Sequence, residues 1–346
     1  MNPKLIQISI SLLLMCLCGS YSNEKKNNNG FMITESNRLL SELENDEVGV
    51  VHEDQSNYEV LVRDKNGKPI DKNNLKNNIK IAFIDLDGTL LNDSYKISKL
   101  NIESLVKAQN KGIKIAFATG RPMFLANNII GKDVKQNNLS LVPGIYINGC
   151  IAYGANGERI IDNYIDEKLV MDIFNFSKEK NLLRRMFWCK LEKIDTFEMN
   201  EYTDEYLNLV PITPDIIDEE TLKNTKIYKI LIGLDKENLS SVIKMYQDKF
   251  SDRLSVGKKL KTYVELYRPN TNKFEGVKAI CKHFDISLND TLAIGDAEND
   301  MEMLQGVGTS IAVQNAPSKI KECAKYVGPS NNDDAVHHIL RAFCDI

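Results

Sequence analysis

Two aspartates stand two residues apart at the predicted end of a buried strand. Asp85 and Asp87 belong to the segment DLDGT at 85–89, which directly follows the apolar residues IAFI. In open parallel sheets, ligands bind at the carboxyl ends of the strands, and neighbouring carboxylates repel each other unless a cation lies between them. Because hard oxygen ligands without His or Cys suit Mg²⁺, this segment predicts a magnesium site. For the acidic pair alone, an acidic turn without a ligand is the alternative.

Two further segments carry groups that bind an anion. Thr119, Gly120 and Arg121 end the next predicted strand and open a helix, where a hydroxyl and unpaired amides can bind phosphate. A helix cap made by Thr119 is the alternative. Lys273 opens a later helix, where it can neutralise an anion, although a surface lysine is the alternative. Together these residue types predict a phosphate-binding site.

A second acidic segment follows a later buried strand. Asp296, Asn299 and Asp300 lie in GDAEND at 295–300, after the apolar run at 291–295. The segment returns carboxylates to the same edge of the sheet and can complete a metal site, with an acidic capping loop as the alternative. Since all four segments stand at strand ends or helix starts, they predict one site for Mg²⁺ and a phosphate group.

The elements that must position these residues alternate between strands and helices. Residues at about 163–268 interrupt the alternation and predict a separate α+β unit. The fold class predicted is therefore α/β, a doubly wound parallel sheet with an inserted α+β domain. In chain order, the predicted elements are a strand at 80–85, a helix at 98–111, a strand at 113–118, a strand ending at 146–149, a helix at 166–180, strands at 182–191 and 227–234, a helix at 236–250, a strand at 261–267, a helix at 271–283, a strand at 291–295, a helix at 299–305, a strand at 309–313, a helix after 317 and a helix at 333–343.

The composition excludes several classes of protein. Of the 346 residues, 44 are Lys or Arg and 48 are Asp or Glu, which gives a formal charge of −4. This balance supplies no overall basic charge, and we expect no nucleic-acid partner. Hydrophobic residues at 42% and charged residues at 27% are typical of globular chains, which excludes a mainly disordered or polytopic membrane protein. The length fits about two domains.

The N-terminal region differs from the rest of the chain. Lys4, the apolar run after it and small residues at 19–22 predict a secretory signal at 1–22, with a membrane anchor or a buried helix as alternatives. The run is short for a membrane span, so we expect none after cleavage. Residues 23–77 are polar and predict a flexible leader, within which 58–63 can form one short strand.

The leader contains RLLSE at 38–42, which has the form RxLxE and resembles the host-export motif of apicomplexan blood parasites. The resemblance implies cleavage after Leu40 and passage to a host cytosol. Of the seven cysteines, two lie in the predicted signal, and a reducing destination would suit the other five, which are widely scattered and form no CxxC. We therefore expect the secretory pathway with export to the host cell. A helical turn at 38–42, with ordinary secretion or a vacuolar site, is the alternative.

The order DxDGT, TGR, NK and GDxxND resembles the haloacid dehalogenase (HAD) superfamily, and within it the Cof-type phosphatases with a large α+β cap. The resemblance covers about residues 79–343. It implies a Rossmann-like core at 78–162 and 269–346, with a cap at 163–268 that closes over the site.

The resemblance also implies roles for the acidic residues. Asp85 would be the nucleophile that forms an aspartyl-phosphate, and Asp87 would protonate the leaving oxygen and then deprotonate water. Asp85, the backbone carbonyl of Asp87 and Asp296 would hold Mg²⁺. Asp300 would join the metal site by supporting Lys273 or the water shell of the ion.

The phosphoryl group has its own implied partners. Thr119 would bind its oxygens, together with the loop residues Gly120 and Arg121. Lys273 would neutralise the developing charge and orient the nucleophile. Asn299 would contact the phosphoryl group or the rest of the substrate.

An acid at position 87 favours the phosphatase and mutase branches, and GDAENDMEML follows the Cof form. We therefore expect a Mg²⁺-dependent phosphoric monoester hydrolase acting on small phosphorylated metabolites, in particular sugar phosphates. A phosphosugar mutase and a catalytically idle binding protein of the same fold are the alternatives, and both monomer and dimer stay open. The cap candidates for substrate selection, with surface charge and one core aromatic as the alternative, are Arg184, Arg185, Trp188 and Lys261.

Overall fold

The computed structural model describes residues 62–70, 75, 78–210, 212–259 and 262–346. The predicted signal at 1–22 and the export motif at 38–42 lie outside the described residues. All of the described residues fall in one unit of the chain. No helix within them is long and apolar enough to cross a membrane.

Nine strands form the larger sheet. Their bounds are β1 Arg63–Asp64, β2 Ile81–Ile84, β3 Lys114–Ala118, β4 Gly144–Tyr146, β5 Ile151–Tyr153, β6 Arg159–Asp162, β13 Thr291–Gly295, β14 Thr309–Ala312 and β15 Tyr326–Val327. The order across the sheet is β1-β15-β14-β13-β2-β3-β4-β5-β6. The pairs from β15 to β4 are parallel, whereas β1, β5 and β6 pair antiparallel at the two edges.

Six strands form a second sheet, in the order β11-β12-β10-β7-β8-β9. Their bounds are β7 Met186–Cys189, β8 Ile194–Thr196, β9 Asp215–Ile216, β10 Lys229–Gly233, β11 Ser255–Lys259 and β12 Tyr263–Tyr267. The α-helices of the described residues are α1 Lys99–Asn110, α2 Met123–Gln136, α3 Glu167–Glu179, α4 Glu201–Leu209, α5 Glu219–Lys223, α6 Leu239–Phe250, α7 Lys273–His283, α8 Met301–Gly306, α9 Ser318–Cys323 and α10 Ala335–Phe343.

The larger sheet is wound in two directions from its centre, where β2 and β13 are neighbours. The chain passes from β2 through α1 to β3 on one side, and from β13 through α8 to β14 on the other. Because crossovers between parallel strands are right-handed, these opposite steps place α1 and α8 on opposite faces. The predicted doubly wound α/β class is thus confirmed, and the point between β2 and β13 is the switch point where such sheets bind ligands.

The central elements follow directly from the sequence. All four residues of β2 are buried, as expected for a continuous apolar run in a parallel strand covered on both faces. The side chain of Ser98 accepts a hydrogen bond from the backbone N–H of Asn101 at 3.1 Å and caps α1. The strand β13 has the predicted bounds, 291–295.

The smaller sheet has two unlike faces, because successive side chains of a strand point to opposite sides. Trp188 of β7, Ile230 and Ile232 of β10 and Val264 of β12 belong to one apolar cluster with residues of α3 and α6. Residues of the other parity, such as Leu231, lie on the opposite face. One face therefore packs on helices, and the other is turned away from them.

Several predicted elements end at other residues. The strand predicted at 182–191 is a 3₁₀ turn, Leu183–Arg185, followed by β7, because the N–H of Arg185 donates to the Leu182 carbonyl at 2.9 Å and closes a turn. β4 ends at Tyr146, and positive φ angles at the next two residues turn the chain into the 3₁₀ helix Ile147–Gly149.

Part of the predicted leader packs on the larger sheet. β1 pairs antiparallel with β15, and both Val62 and Ile70 are buried in the core. Burial of these two apolar residues accounts for the attachment of residues 62–70. The division into core and cap segments at 162 and 268 stays a prediction. The cysteines of the described residues are all free thiols, namely Cys150, Cys189, Cys281, Cys323 and Cys344.

Candidate active site

A buried lysine joins two carboxylates at the switch point of the larger sheet. The Nζ atom of Lys273 donates to Oδ1 of Asp85 at 2.5 Å and to Oδ1 of Asp300 at 2.7 Å. Asp85 follows β2 directly, and Lys273 is the first residue of α7. Both the Lys273 and the Asp300 side chains are fully buried, and that of Asp85 is nearly so. These are the strong, charge-assisted bonds that a buried charge requires.

The start of α7 lies close against the turn that follows β4. Gly149 has a φ of +93°, and an added Cβ there would stand 2.0 Å from the carbonyl oxygen of Asn272. The side chain of Asn272 accepts from the N–H of Glu275 at 3.0 Å and caps the helix. Glycine at 149 therefore allows the close approach that brings Lys273 to the site.

Asp300 also orders the acidic loop after β13. Its Oδ2 atom accepts hydrogen bonds from the backbone N–H groups of Asp296 and Ala297, both at 3.1 Å. Both oxygens of Asp300 are thus engaged within the protein. Of the two roles predicted for Asp300, this arrangement favours the support of Lys273 over the support of the ion's water shell.

The electrostatics of the cluster favour a bound cation. Burial raises the pKa of Asp85 well above its ordinary value, although Lys273 opposes the shift. Burial and the Asp300 charge raise the pKa of Asp296 to about 6. For Lys273, burial acts to lower the pKa, but Asp300 and Asp85 outweigh it and the pKa is raised. Ionised carboxylates are therefore costly here without a positive partner.

The donor set fits a hard metal ion. One carboxylate oxygen from each of Asp85, Asp296 and Asp300 lies within 4.8 Å of the others. Gly88 has a φ of +77°, and an added Cβ would stand 2.5 Å from Oδ2 of Asp296, so glycine lets the two acidic loops meet. The Thr89 hydroxyl donates to Oδ1 of Asp296 at 3.3 Å. A group made only of oxygen ligands suits Mg²⁺ chemistry.

Asp87 is held by an arginine. Arg121 donates from Nε to Oδ2 of Asp87 at 2.7 Å and from Nη2 to Oδ1 at 2.6 Å. This two-point pairing fixes the orientation of the carboxylate. Arg121 was predicted to bind the substrate, whereas in the structure these two donors are bound to Asp87. This pair could not be predicted from spacing, since the two residues lie 34 positions apart.

The loop after β3 approaches the same place. Thr119 is buried, and its hydroxyl accepts from the N–H of Arg121 at 3.1 Å. The side-chain amide of Asn299 donates to Oδ1 of Asn148 at 2.8 Å, and the N–H of Asn148 donates to the Thr119 carbonyl at 3.1 Å. Sequence reasoning missed Asn148, although an asparagine two residues after a strand, here with φ of +54°, is a residue type that favours a left-handed turn.

These residues surround a cavity of about 560 Å³, a size suited to a small molecule. Of the predicted site residues, Thr119, Lys273 and Asp300 are buried behind its wall. Those that line it are Asp85, Asp87, Gly120, Arg121, Asp296 and Asn299. The smaller sheet and its loops close the other side with residues that sequence reasoning missed, Cys189, Ile194, Tyr206, Val210, Lys229, Leu231 and Tyr263.

The predicted cap candidates within the described residues do not line this cavity. Trp188 is fully buried on the helix-packed face of the smaller sheet, because its position in β7 has the opposite parity to Cys189. Arg184 is exposed and pairs with Glu198 at 3.0 Å. Arg185 stacks over the ring of Tyr202 at 4.0 Å. Lys261 lies outside the described residues.

The chain is similar to several known proteins. It is 30% identical to a HAD/COF-like hydrolase from Plasmodium vivax of known structure, with a TM-score of 0.71 and coverage of 78% of this chain and 97% of that one. It is 25% identical over 292 residues to phosphatase YwpJ of Bacillus subtilis, with coverage of 76% and 99%. It is 30% identical over 270 residues to the chloroplastic endoribonuclease YBEY of Arabidopsis thaliana. That match covers 73% of this chain and only 44% of the plant protein.

The haloacid dehalogenase-like hydrolase family matches residues 82–340, which include every predicted site residue. Similarity to a named phosphatase over nearly its whole length agrees with the predicted enzyme class, a phosphoric monoester hydrolase. The chain belongs to the haloacid dehalogenase-like hydrolases.

Proposed function

We propose that this chain is a Mg²⁺-dependent phosphatase that hydrolyses small phosphomonoesters through an aspartyl-phosphate. The observation that carries the proposal is the placing of Asp85 at the switch point, bonded to Lys273 and close to Asp296, on the wall of a cavity that Asp87 also lines. This arrangement supplies a nucleophile, a positive charge and a second acid to one small space.

The residues present fit a magnesium ion. Asp85 and Asp296 would hold it with carboxylate oxygens, together with the backbone carbonyl of Asp87, and Asp300 would support them through Lys273. When bound, the ion would supply positive charge against the phosphoryl oxygens.

The first step would transfer the phosphoryl group to the protein. A carboxylate oxygen of Asp85 forms a bond to phosphorus while the bond from phosphorus to the leaving oxygen breaks. The leaving oxygen takes a proton from Asp87, which becomes a carboxylate. Lys273 lies at 2.5 Å from the nucleophile and holds its orientation.

The second step would release phosphate. Water attacks phosphorus, the carboxylate of Asp87 takes the proton from that water, and the bond to Asp85 breaks. Asp87 is then protonated for the next turnover. Arg121, which pairs with both oxygens of Asp87, holds the orientation of this group.

The test compares Asp85→Asn with Asp290→Asn. Asp290 pairs with Lys80 at 2.9 Å on the surface, so Asp290→Asn is a control that also removes one carboxylate. With Mg²⁺ and para-nitrophenyl phosphate, we expect Asp85→Asn to lose at least about a thousandfold in kcat and the control to keep its rate. Activity of Asp85→Asn within tenfold of wild type would refute the nucleophile.

A second measurement separates hydrolysis from isomerisation. We expect inorganic phosphate to be released from substrate in proportion to turnover. Conversion of a sugar 1-phosphate to its 6-phosphate without release of phosphate would instead identify a phosphosugar mutase. Absence of both reactions, with Mg²⁺ and substrate still bound, would indicate an idle binding protein.

A further inference from the structure

The smaller sheet turns an apolar face towards the carboxylates. In β7 and β10, the residues that alternate with the helix-packed ones are Phe187, Cys189, Lys229 and Leu231. Leu231 stands opposite Phe187, and Lys229 stands opposite Cys189. Because paired residues of neighbouring antiparallel strands share a face, these four side chains lie on one surface, and three of them carry no charge.

Aromatic and aliphatic side chains continue this surface around the cavity. Tyr206 from α4 stacks on Phe187 with ring centroids 4.2 Å apart, and Tyr263 from β12 lies 6.3 Å from Tyr206. Both tyrosines line the cavity. Leu125, near the start of α2, also lines it and belongs to the same apolar cluster. The lining as a whole is predominantly apolar.

Lys229 is the charged residue that this face contributes to the lining, and its charge is already balanced. Its Nζ atom lies 2.9 Å from Oε1 of Glu265 and donates to the Gly120 carbonyl at 3.2 Å. Both side chains of the pair are about 8% exposed. A neutralised pair of this kind gives no net attraction to a second phosphate or carboxylate on the substrate.

Such walls discriminate between leaving groups. Polar side chains also line the cavity, but Asn92 accepts from two backbone N–H groups, and Asn331 donates to the Leu91 carbonyl and to Asp93. A polyol that enters therefore loses hydrogen bonds to water that the apolar part of the walls does not replace. A ring loses only its contact with water and gains packing against tyrosine and leucine side chains. The charged half of the cavity holds the phosphoryl group of both kinds of substrate. The two substrates therefore differ in how their leaving groups bind to the walls.

We propose that the substrates of this chain carry an apolar, ring-bearing leaving group without a second anionic group, rather than the polyol of a sugar phosphate. This inference rests on the proposed phosphatase function and departs from the sugar phosphates that the family resemblance implies. The leaving group would stand between Leu231, Tyr206 and Tyr263, with its ester oxygen towards Asp87.

The test uses four esters of primary alcohols, so that the leaving oxygens have similar basicity and the comparison reports the walls. They are benzyl phosphate, cyclohexylmethyl phosphate, glycerol 3-phosphate and glucose 6-phosphate, each given to the full chain with Mg²⁺. We expect kcat/KM for both ring-bearing esters to exceed that for glucose 6-phosphate at least about tenfold. The expected ratio follows because a polar group that finds no hydrogen-bond partner in the site lowers kcat/KM, whereas an apolar group does not.

A variant pair tests the surface itself. Leu231→Thr changes a half-buried strand residue on the cavity side, and Val256→Thr changes a half-buried strand residue packed on the helix side. We expect Leu231→Thr to lower kcat/KM for benzyl phosphate about three- to tenfold, with little change for glycerol 3-phosphate. Val256→Thr should alter neither.

The outcomes separate the two proposals. If glycerol 3-phosphate and glucose 6-phosphate are hydrolysed in an Asp85-dependent way, and glucose 6-phosphate is equal or preferred to the ring-bearing esters, the phosphatase stands and this inference is overturned. Equal losses on both substrates in Leu231→Thr would overturn it as well. If none of the four esters is hydrolysed while para-nitrophenyl phosphate is, the phosphatase stands and this inference is overturned; if para-nitrophenyl phosphate is not hydrolysed either, both proposals fail. If Leu231→Thr does not fold, the four-ester comparison on the unaltered chain still tests the proposed preference for ring-bearing leaving groups.

Discussion

Replacing Lys273 with methionine is expected to destabilise the fold strongly, because it leaves two buried carboxylates without their shared cation. Nζ of Lys273 bonds to Asp85 at 2.5 Å and to Asp300 at 2.7 Å, and the lysine side chain is fully buried. Removing one partner of a buried ion pair costs about 3–5 kcal/mol. At about 2.1 cal/mol/K per residue, a chain of this size unfolds with an entropy near 0.7 kcal/mol/K, so the midpoint of thermal unfolding should fall by roughly 4–7 °C.

The assay is thermal unfolding followed by circular dichroism, with Lys278→Met as the matched control. Lys278 lies on the same helix and pairs with Glu275 at 2.8 Å, but its side chain is 45% exposed. An exposed pair contributes about 0–1 kcal/mol, so we expect little change in the control. A Lys273→Met midpoint within 1 °C of the control would refute the reasoning.

The pH dependence gives a second readout of the same effect. Without Lys273, the pKa of Asp85 should rise further, since the lysine charge acts to lower it. A carboxyl with a raised pKa keeps its proton longer in the folded chain, so stability is lost as the pH rises through that pKa. The gap between variant and wild type should therefore be larger at pH 8 than at pH 5. Adding Asp300→Asn to Lys273→Met should reduce the difference in stability from wild type, because one unpaired buried charge is removed.

Four further outcomes are expected. Asp87→Asn should form the aspartyl-phosphate from aryl phosphates in rapid-quench labelling but release it slowly, because water attack still needs a base; equal loss of both steps would contradict the dual role. The unfolding free energy of the metal-free chain, measured by denaturant titration, should fall as the pH rises from about 4 to above 6, since the pKa of Asp296 is raised from 3.8 to about 6. Asp296→Asn should reduce this dependence of the unfolding free energy on pH. Phosphatase activity should vanish in EDTA and return with Mg²⁺, whereas return with Zn²⁺ alone would contradict an all-oxygen site. N-terminal sequencing of protein from its source cell should find a chain that begins at Ser41 after a cut behind Leu40, and a chain that begins near Asn23 would refute export.

The central strands could be predicted because burial on both faces leaves a continuous apolar run in the sequence. The runs at 80–85 and 291–295 became β2 and β13, and the acids that follow them became the site. Several of the shortest strands were missed. β8, Ile194–Thr196, and β9, Asp215–Ile216, are too short to show an alternating pattern. The pairing of β9 also depends on β8, about twenty residues earlier in the chain.

The position of the candidate site could be predicted from the sequence, but the pairing of its side chains could not. Each motif fixes where its residues leave a strand, so the meeting of Asp85 and Asp296 at one edge follows from parallel order alone. The pairing of Asp87 with Arg121 and of Asn148 with Asn299 does not follow. It depends on side-chain directions set by tertiary packing, for which neither spacing nor composition carries a signal. The cavity walls were missed for the same reason, since Lys229 and Leu231 stand in an ordinary strand pattern.

The alternation of the smaller sheet bears on how this enzyme could change over time. Residues of one parity, such as Ile230 and Ile232, hold the sheet to its helices, while Lys229 and Leu231 between them face the substrate cavity. A substitution at Leu231 leaves the contacts of the helix-packed face in place, and a substitution at a helix-side position leaves the cavity wall in place. Lys229 differs, because its buried pair with Glu265 also joins β10 to β12. Single changes at uncharged wall positions such as Leu231 can therefore alter substrate preference while the packing of the sheet on its helices is kept.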